Sequence, residues 1–442
     1  MTRRRSRRPP KPPFETSVTD LAHDGRGVAR RDDGKTVFVH GALPGERVVA
    51  APLVSRSRHD EAEVETVLTP SPDRVVPRCP HFGVCGGCSL QHLAAERQIV
   101  YKERWLLDNL NRIGRVTPQE VLPPLTGPHF GYRHKARLAV KAVAKKGRVL
   151  VGFRERKAPL VADLRGCEVL HPAVGHHLPA LAELVAGLSI SQRLPQIEVA
   201  VGDDIAALNF RVLDPPTEAA REALQAFGEQ HGFAIYLQPK GPDTVEPLGK
   251  APPALHYLLP DFQLRLAFKP QHFTQVNFAI NRQMVSRAVA LLAPRREDRI
   301  LDLFCGLGNF TLALARVAAQ VVGVEGDADL VAWAQGNAAA NGVTQAEFHS
   351  ADLSLPQDRA PWAQARYGGA LLDPPRSGAL PLMPLIARRA VPRFVYVSCH
   401  PATLARDVGA LVHDHGYTLR SAGVMDMFPH TAHVESMALL ER

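Results

Sequence analysis

The chain has 442 residues, of which 45% are hydrophobic and 22% charged, enough for two to four domains of about 100–200 residues with real cores. No uncharged apolar run approaches the roughly 18 residues of a membrane helix, and six cysteines are too few for a disulfide scaffold. The net charge of +9 is uneven: residues 1–13 hold six Lys/Arg and no acid, which leaves +3 on the rest.

Residues 1–13, MTRRRSRRPPKPP, lack the apolar core of a secretory signal and read as a basic disordered arm, either a phosphate-binding element or a solubilising tail. A reducing cytoplasm is then the expected location, with cysteines kept as thiols. Residues 14–70 follow as a small β unit. Short β-branched runs such as Thr36-Val37-Phe38-Val39 and Arg47-Val48-Val49 alternate with turns such as Asp24-Gly25 and Pro44-Gly45. About five short strands in under sixty residues suit an OB-like barrel.

Residues 71–270 are expected to form a central α+β domain. It opens on Cys79-x5-Cys85-x2-Cys88, with Cys167 far downstream. Close thiols in a reduced protein are ligand-like. Zinc sites usually show two close pairs, whereas three clustered and one remote cysteine suit a cubane iron–sulfur cluster. A helix is expected from Gln91 to Ile113, with Ile99, Leu106, Leu110 and Ile113 on one face and Gly114 as its cap. Tyr132–Lys141 reads as a strand. Tyr132, His134, Ala136, Leu138 and Val140 share one parity; Arg133, Lys135, Arg137 and Lys141 share the other. Residues 132–157 hold ten Lys/Arg and one acid, so this strand is expected to offer a nucleic-acid surface, or else a charge-defended edge. Residues 171–265 carry no chemistry legible in the sequence.

Residues 271–442 alternate strand and helix, as in a parallel, Rossmann-like sheet. Strands are expected at Arg299–Phe304, Gln320–Val324, Ala346–His349, Gly369–Leu372, Phe394–Val397 and Met437–Leu440, with a helix at Phe310–Val317. After the first strand comes Cys305-Gly306-Leu307-Gly308-Asn309, a glycine turn that allows close backbone approach to a ligand. The dinucleotide fingerprint fails, because Thr311 stands where its third glycine would be. Glu325 ends the second strand, where an acid accepts from ribose hydroxyls. Asp352 follows the third and suits an adenine amino group. Asp373-Pro374-Pro375-Arg376 ends the fourth strand, on the ligand side of such a sheet. The fifth leads to Ser398-Cys399-His400-Pro401, a cysteine at a strand end in a Pro-bounded turn, suited to a nucleophile. Glu435, before the last strand, is a candidate base.

Cys399 and Glu435 suit methylation of a uracil ring. Carbon 5 is a weak nucleophile until a thiolate adds to carbon 6, and a base must then remove the carbon 5 proton. With FKPQHFTQVN (Phe268–Asn277), DLFCGLGNF, DPPRSG, SCHPATLARD and HVES, the chain resembles the RNA uracil-5 methyltransferases over nearly its whole length. The resemblance implies an S-adenosylmethionine-dependent enzyme with a class I methyltransferase domain. It implies that Gln275, Phe304, Asn309, Glu325, Asp352 and Asp373 line the cofactor or target-base site. It implies that the barrel is a TRAM domain and that Cys79, Cys85, Cys88 and Cys167 hold a [4Fe–4S] cluster. Barrel and cluster together point to the branch acting on 23S rRNA, with another rRNA or tRNA uracil as the alternative. A non-catalytic RNA-binding protein with a structural metal is the non-enzyme reading. The usual SCNP motif is SCHP here, so the contacts of His400 are open. No membrane or protein partner is indicated.

Overall fold

The computed structural model describes residues 12–250, 252–355 and 357–442, so the basic arm lies outside the described residues apart from Pro12 and Pro13. The chain forms two compact units: Met1–Lys102 with His430–Ala432, and Glu103–Pro429 with His433–Arg442. No helix among the described residues is long and apolar enough to cross a membrane.

The first unit opens with the expected strands: β1 (Phe14–Leu21), β2 (Gly27–Arg30), β3 (Thr36–His40), β4 (Arg47–Ser55) and β5 (His59–Thr69). They close in the order β1-β2-β3-β5-β4. Alternation puts Val18, Val37, Val39, Val48 and Ala62 inside, and closure removes the exposed sheet edge. A buried acid ties down the exit from the barrel. Glu46 takes two bonds from Arg74, at 2.5 and 2.8 Å, and one from the backbone N–H of Leu43 at 2.8 Å.

A helix spans Ala95–Asn109, shorter than expected, and continues as a π-helical turn over Leu110–Gly114. Ile99, Leu106 and Leu110 are buried as the periodicity requires, but Ile113 is exposed. The left-handed cap is Arg115, not Gly114. Gly114 serves a close approach instead: a Cβ there would stand 2.5 Å from the Ala405 carbonyl oxygen, and one at Gly409 would stand 2.7 Å from the Gly114 oxygen. Two missing side chains thus let this turn lie against the helix Pro401–His415.

The second unit begins with the short β6 (Glu120–Val121), then β7 (Lys135–Val143) and β8 (Arg148–Gly152). They are followed by β9 (Gln196–Val201), β10 (Ala206–Arg211), β11 (Phe233–Gln238) and β12 (Glu246–Pro247). Six of these strands make a sheet in the order β12-β11-β10-β9-β7-β8. Leu138 and Val140 are buried while Arg137 and Lys141 face out, as the parity predicts. The expected continuous cationic face is not present, however. The Lys135 ammonium turns inward to the Pro270 carbonyl, where burial pulls its pKa down to about 8. Arg137 pairs with Glu198 at 3.0 Å, and the Arg133 Nε–H bonds the Lys135 carbonyl.

A hairpin of β13 (Leu255–Leu259) and β14 (Leu264–Phe268) leads to the helix Phe278–Leu292, capped by Asn277. The remaining strands are β15 (Arg299–Leu303), β16 (Gln320–Glu325), β17 (Ala346–Ser350), β18 (Gly369–Leu372), β19 (Arg393–Ser398), β20 (Thr418–Met425) and β21 (Glu435–Glu441). The order is β17-β16-β15-β18-β19-β21-β20-β6. The first five are parallel, as expected; β21 inserts antiparallel between β19 and β20. The helix expected at Phe310–Val317 shrinks to one turn, Thr311–Leu314. The chain must return at once to β16, where the N–H groups of Ala319 and Gln320 both bond the Asp298 carbonyl.

Candidate active site

The site lies at the carboxyl ends of the parallel strands. Beyond Leu303 the chain turns at Phe304, whose φ of 64° costs a non-glycine residue about 1–2 kcal/mol. Two bonds hold the turn: the N–H groups of Phe304 and Cys305 both reach the Val324 carbonyl, at 2.8 and 3.1 Å. Gly306 (φ 52°) and Gly308 (φ 89°) complete it in a backbone region that glycine enters freely. Cys305 is a packing residue. It is buried against Gly323, where a Cβ would come within 3.0 Å of its sulfur, and burial pushes its thiol pKa up.

Glu325 receives backbone N–H groups from Gly306 at 3.0 Å, Gly326 at 2.7 Å and Asp327 at 3.2 Å. Its carboxylate is thereby fixed at the rim of the glycine loop. The Asn309 side chain points away from the loop's open side. Its oxygen accepts from the Tyr257 hydroxyl at 2.9 Å and from Asn281 at 3.0 Å, and its amide donates back to Asn281 at 2.9 Å. Asn309 thus anchors the loop to β13 and to the helix Phe278–Leu292. Asp352 is exposed after β17 and accepts from the Ser354 N–H and hydroxyl at 2.9 and 2.6 Å, which hold it below the usual carboxylate range.

Asp302, quoted within the loop motif but given no role by the sequence, proves to be wholly buried. It accepts from the Thr311 hydroxyl at 2.5 Å, and its other oxygen has no partner among the described residues. Burial, with Asp373 and Glu325 nearby, pushes its pKa to about 8. An acid inside an otherwise apolar strand was the available signal.

Asp373 ends β18, and Gln275 donates to it at 3.2 Å across 98 residues of sequence. Burial raises the Asp373 pKa to about 7. The Pro-Pro pair then breaks the strand and turns Arg376 toward Cys399. That loop is pinned from behind by Asp407, which accepts from the Ala379 N–H at 2.7 Å and the Tyr396 hydroxyl at 2.6 Å. Arg376 is the second group the sequence did not single out. Its guanidinium lies 3.4 Å from the His433 Nδ1 and close enough to Cys399 to favour the ionised sulfur.

Cys399 follows β19 directly. His400 caps the next helix, its Nδ1 accepting the Thr403 N–H at 3.4 Å, with Pro401 at the first helical position. An imidazole nitrogen therefore does the work of an Asn oxygen, and the turn survives the substitution. Glu435 is the first residue of β21 rather than preceding it, and is 3% exposed. Its position relative to Cys399 follows from register. Ser398 pairs with Ser436, whose hydroxyl bonds the Ser398 carbonyl at 3.1 Å. The two residues that follow and precede this pair are Cys399 and Glu435, and the Glu435 charge is close enough to act on the Cys399 thiol.

Burial, then the charges of Glu435 and Asp373, raise the Cys399 pKa to about 11, while Arg376 opposes the rise. Burial and Asp373 push Glu435 well above the carboxylate range, again opposed by Arg376. The structure thus gathers a thiol, two carboxyls, an amide and a guanidinium beside a glycine loop. The four predicted ligand cysteines are different. Cys79, Cys85 and Cys88 are half-buried in the first unit and Cys167 in the second, and no group of three or more His, Cys, Asp or Glu poised for a metal is found among the described residues.

The model of the tRNA (Uracil-5-)-methyltransferase family matches residues 257–354 and 363–442, and that of the TRAM domain matches residues 14–51. The chain is 56% identical to the 23S rRNA (uracil(1939)-C(5))-methyltransferase RlmD of Xanthomonas euvesicatoria, over 97% of each chain. It is 54% identical to the protein of that name from Alkalilimnicola ehrlichii, over 99% of each. In fold it is similar to the Pyrococcus abyssi tRNA (uracil-54, C5)-methyltransferase solved with S-adenosyl-L-homocysteine, with a TM-score of 0.75, 24% identity and coverage of 96% of this chain and 99% of that one.

Proposed function

The chain belongs to the RNA uracil-5 methyltransferase family, with relatives named RlmD at over half identity along almost its full length, and from that premise we propose that it methylates carbon 5 of one uracil in 23S rRNA, uracil 1939 being the expected target. The observation that carries this reading is the proximity of Cys399 and Glu435, which flank the Ser398–Ser436 pair of β19 and β21 and interact electrostatically. S-adenosylmethionine, when bound, supplies an electrophilic methyl group. Glu325 would accept from its ribose hydroxyls and Asp352 would take its adenine amino group, with Phe304 and the anchored Asn309 shaping the glycine loop. Gln275 and Asp373 present an amide and a near-neutral carboxyl to the edge of the target base. Cys399 adds as thiolate to carbon 6 of the uracil, with Arg376 favouring the ionised sulfur. As carbon 5 takes the methyl group, S-adenosylhomocysteine would be released; the ionised form of Glu435 then removes the carbon 5 proton, and the carbon 6–sulfur bond breaks to return the thiolate.

Functionally we keep four parts: the arm 1–13, the TRAM barrel 14–70, a central domain 71–270 and the methyltransferase domain 271–442. The barrel and the cationic residues of the central domain hold the RNA. The decisive experiment incubates the protein with labelled S-adenosylmethionine and unmodified 23S and tRNA transcripts, then maps the labelled base. One labelled 23S uracil is expected. Label confined to tRNA transfers the specificity elsewhere, and no label in either favours the non-catalytic reading.

Cys79, Cys85, Cys88 and Cys167 are proposed to hold a [4Fe–4S] cluster. Supporting this, the Gly87 N–H bonds the Cys85 sulfur at 3.4 Å, a contact that stabilises a ligating thiolate. No catalytic step depends on the cluster. Protein prepared without oxygen should contain about four iron atoms per chain, and Cys88→Ser and Cys167→Ser should each lose them. Zinc in place of iron would overturn the assignment.

A further inference from the structure

A cavity of about 280 Å³ opens on the six-stranded sheet of the second unit, apart from Cys399 and Glu435. Register explains its polarity. Arg137 pairs with Glu198, and Gln196 pairs with Arg211, which also lies beside Gln238, so these side chains rise from four neighbouring strands on one face. On the same face the other end of the sheet carries Ala200, Ala207 and Ala234, which pack into the core. The polar end faces the cavity because nothing apolar covers it.

The hydrogen-bond inventory is incomplete in a particular way. Both bonds to Glu198, from Arg137 at 3.0 Å and Gln196 at 2.9 Å, go to Oε1 and leave Oε2 open. Arg211 uses one N–H on the Lys240 carbonyl at 2.7 Å. Gln271, on the cavity wall, has a buried side-chain oxygen with no partner among the described residues. A buried acceptor without a partner is destabilising, and exchanging the oxygen and nitrogen of the Gln271 amide would offer that acceptor to the cavity. The wall thus offers acceptors at Glu198 and Gln271 and donors at Arg137 and Arg211.

We propose that this cavity binds a second, unstacked nucleobase of the RNA, one bearing an exocyclic amine: adenine, guanine or cytosine. A phosphate has only acceptors and would meet the Glu198 carboxylate. Uracil has a single donor on its pairing edge, the ring N3–H, and so can satisfy only one of the two acceptors on this wall. An amino-bearing base donates to Glu198 and Gln271 and accepts from the guanidinium groups at its ring nitrogens or carbonyl. The inference rests on the RNA methyltransferase reading. It adds that the base lies near the target in the strand, because Gln271 and Gln275 are four residues apart on one loop, a span of at most about 14 Å.

The test uses rRNA fragments containing the target uracil. Neighbouring guanosine, adenosine or cytidine is replaced one at a time by inosine, purine riboside or pyrimidin-2-one riboside, each lacking the amine. For the wild type, one replacement should weaken Kd about ten-fold, the scale of a lost bidentate base contact. For Glu198→Gln/Arg211→Met the same replacement should change Kd by less than about two-fold. Arg137→Ala, whose side chain is 71% exposed and which leaves the core untouched, should show the same loss of discrimination. If no replacement weakens wild-type binding, or if the variants discriminate as well as the wild type, the pocket is not a base site. Methyl incorporation into the parent fragment tests the underlying reading separately, so the two can fail independently.

Discussion

Replacing Cys399 with alanine should reduce methyl transfer by roughly 10⁴-fold or more, the loss that follows removal of a covalent nucleophile from an otherwise intact site. S-adenosylmethionine affinity should stay within about two-fold, since Glu325 and the glycine loop do not contact the sulfur. RNA carrying 5-fluorouracil should become covalently attached to the wild type and not to the variant, because fluorine cannot leave as a cation. The pH profile carries a further sign. With its pKa raised to about 11, Cys399 is mostly thiol near neutrality, and its thiolate fraction grows about ten-fold per unit as pH rises. Adduct formation with the fluorinated RNA should accelerate between pH 7 and 9. Substantial turnover by the alanine variant, or an adduct rate flat in pH, would remove Cys399 from this role.

Glu435→Gln should separate the two halves of the reaction. Carbon 6 addition and methyl transfer proceed, but the carbon 5 proton stays, so an adduct on ordinary uracil RNA should accumulate while turnover falls by roughly 10²–10⁴-fold. Loss of the carboxyl also removes a group that disfavours the thiolate, so the adduct should form no more slowly than in the wild type. Stability moves the other way from activity. A carboxyl whose folded pKa is raised favours folding only while protonated, and its contribution is lost as pH rises through the folded value. Glutamine cannot ionise, so the variant should melt above the wild type at pH 8 and near it at pH 4. Slow turnover without a trapped adduct would assign the proton to another base.

The parts of the fold legible in the sequence are those set by local pattern. The barrel strands, the buried β15 and β16, and the glycine turn obey alternation, apolar runs and backbone freedom. Cys399 was legible because a strand end and a proline bracket it. What escaped depends on distant partners. Lys135 has the parity of an outward cation, yet the Pro270 carbonyl, 135 residues on, draws it inward. Gly114 has the position of a cap, yet the backbone of a helix nearly 300 residues later needs the space. Arg376 and Asp302 have no motif of their own; the charges and burial around them come from four different strands. Gln196, Arg211 and Gln238 look like ordinary polar residues until pairing sets them side by side.

The insertion of β21 between β19 and β20 has a genetic consequence. Glu435 is brought near Cys399 by the pairing of β21 with β19 that ends at Ser398 and Ser436, and side chains along a strand alternate between faces. A codon inserted or deleted within Ser436–Leu440, with the pairing beyond it retained, would turn the carboxylate to the opposite face of the sheet. Point changes at Met437–Leu440 alter packing, and one at Ser436 also removes its bond to the Ser398 carbonyl, but none changes the face that Glu435 occupies. Among homologues that keep this chemistry, the last strand is therefore expected to vary among small and apolar residue types that fit its buried positions, while its length, counted back from the β19 pairing, stays constant.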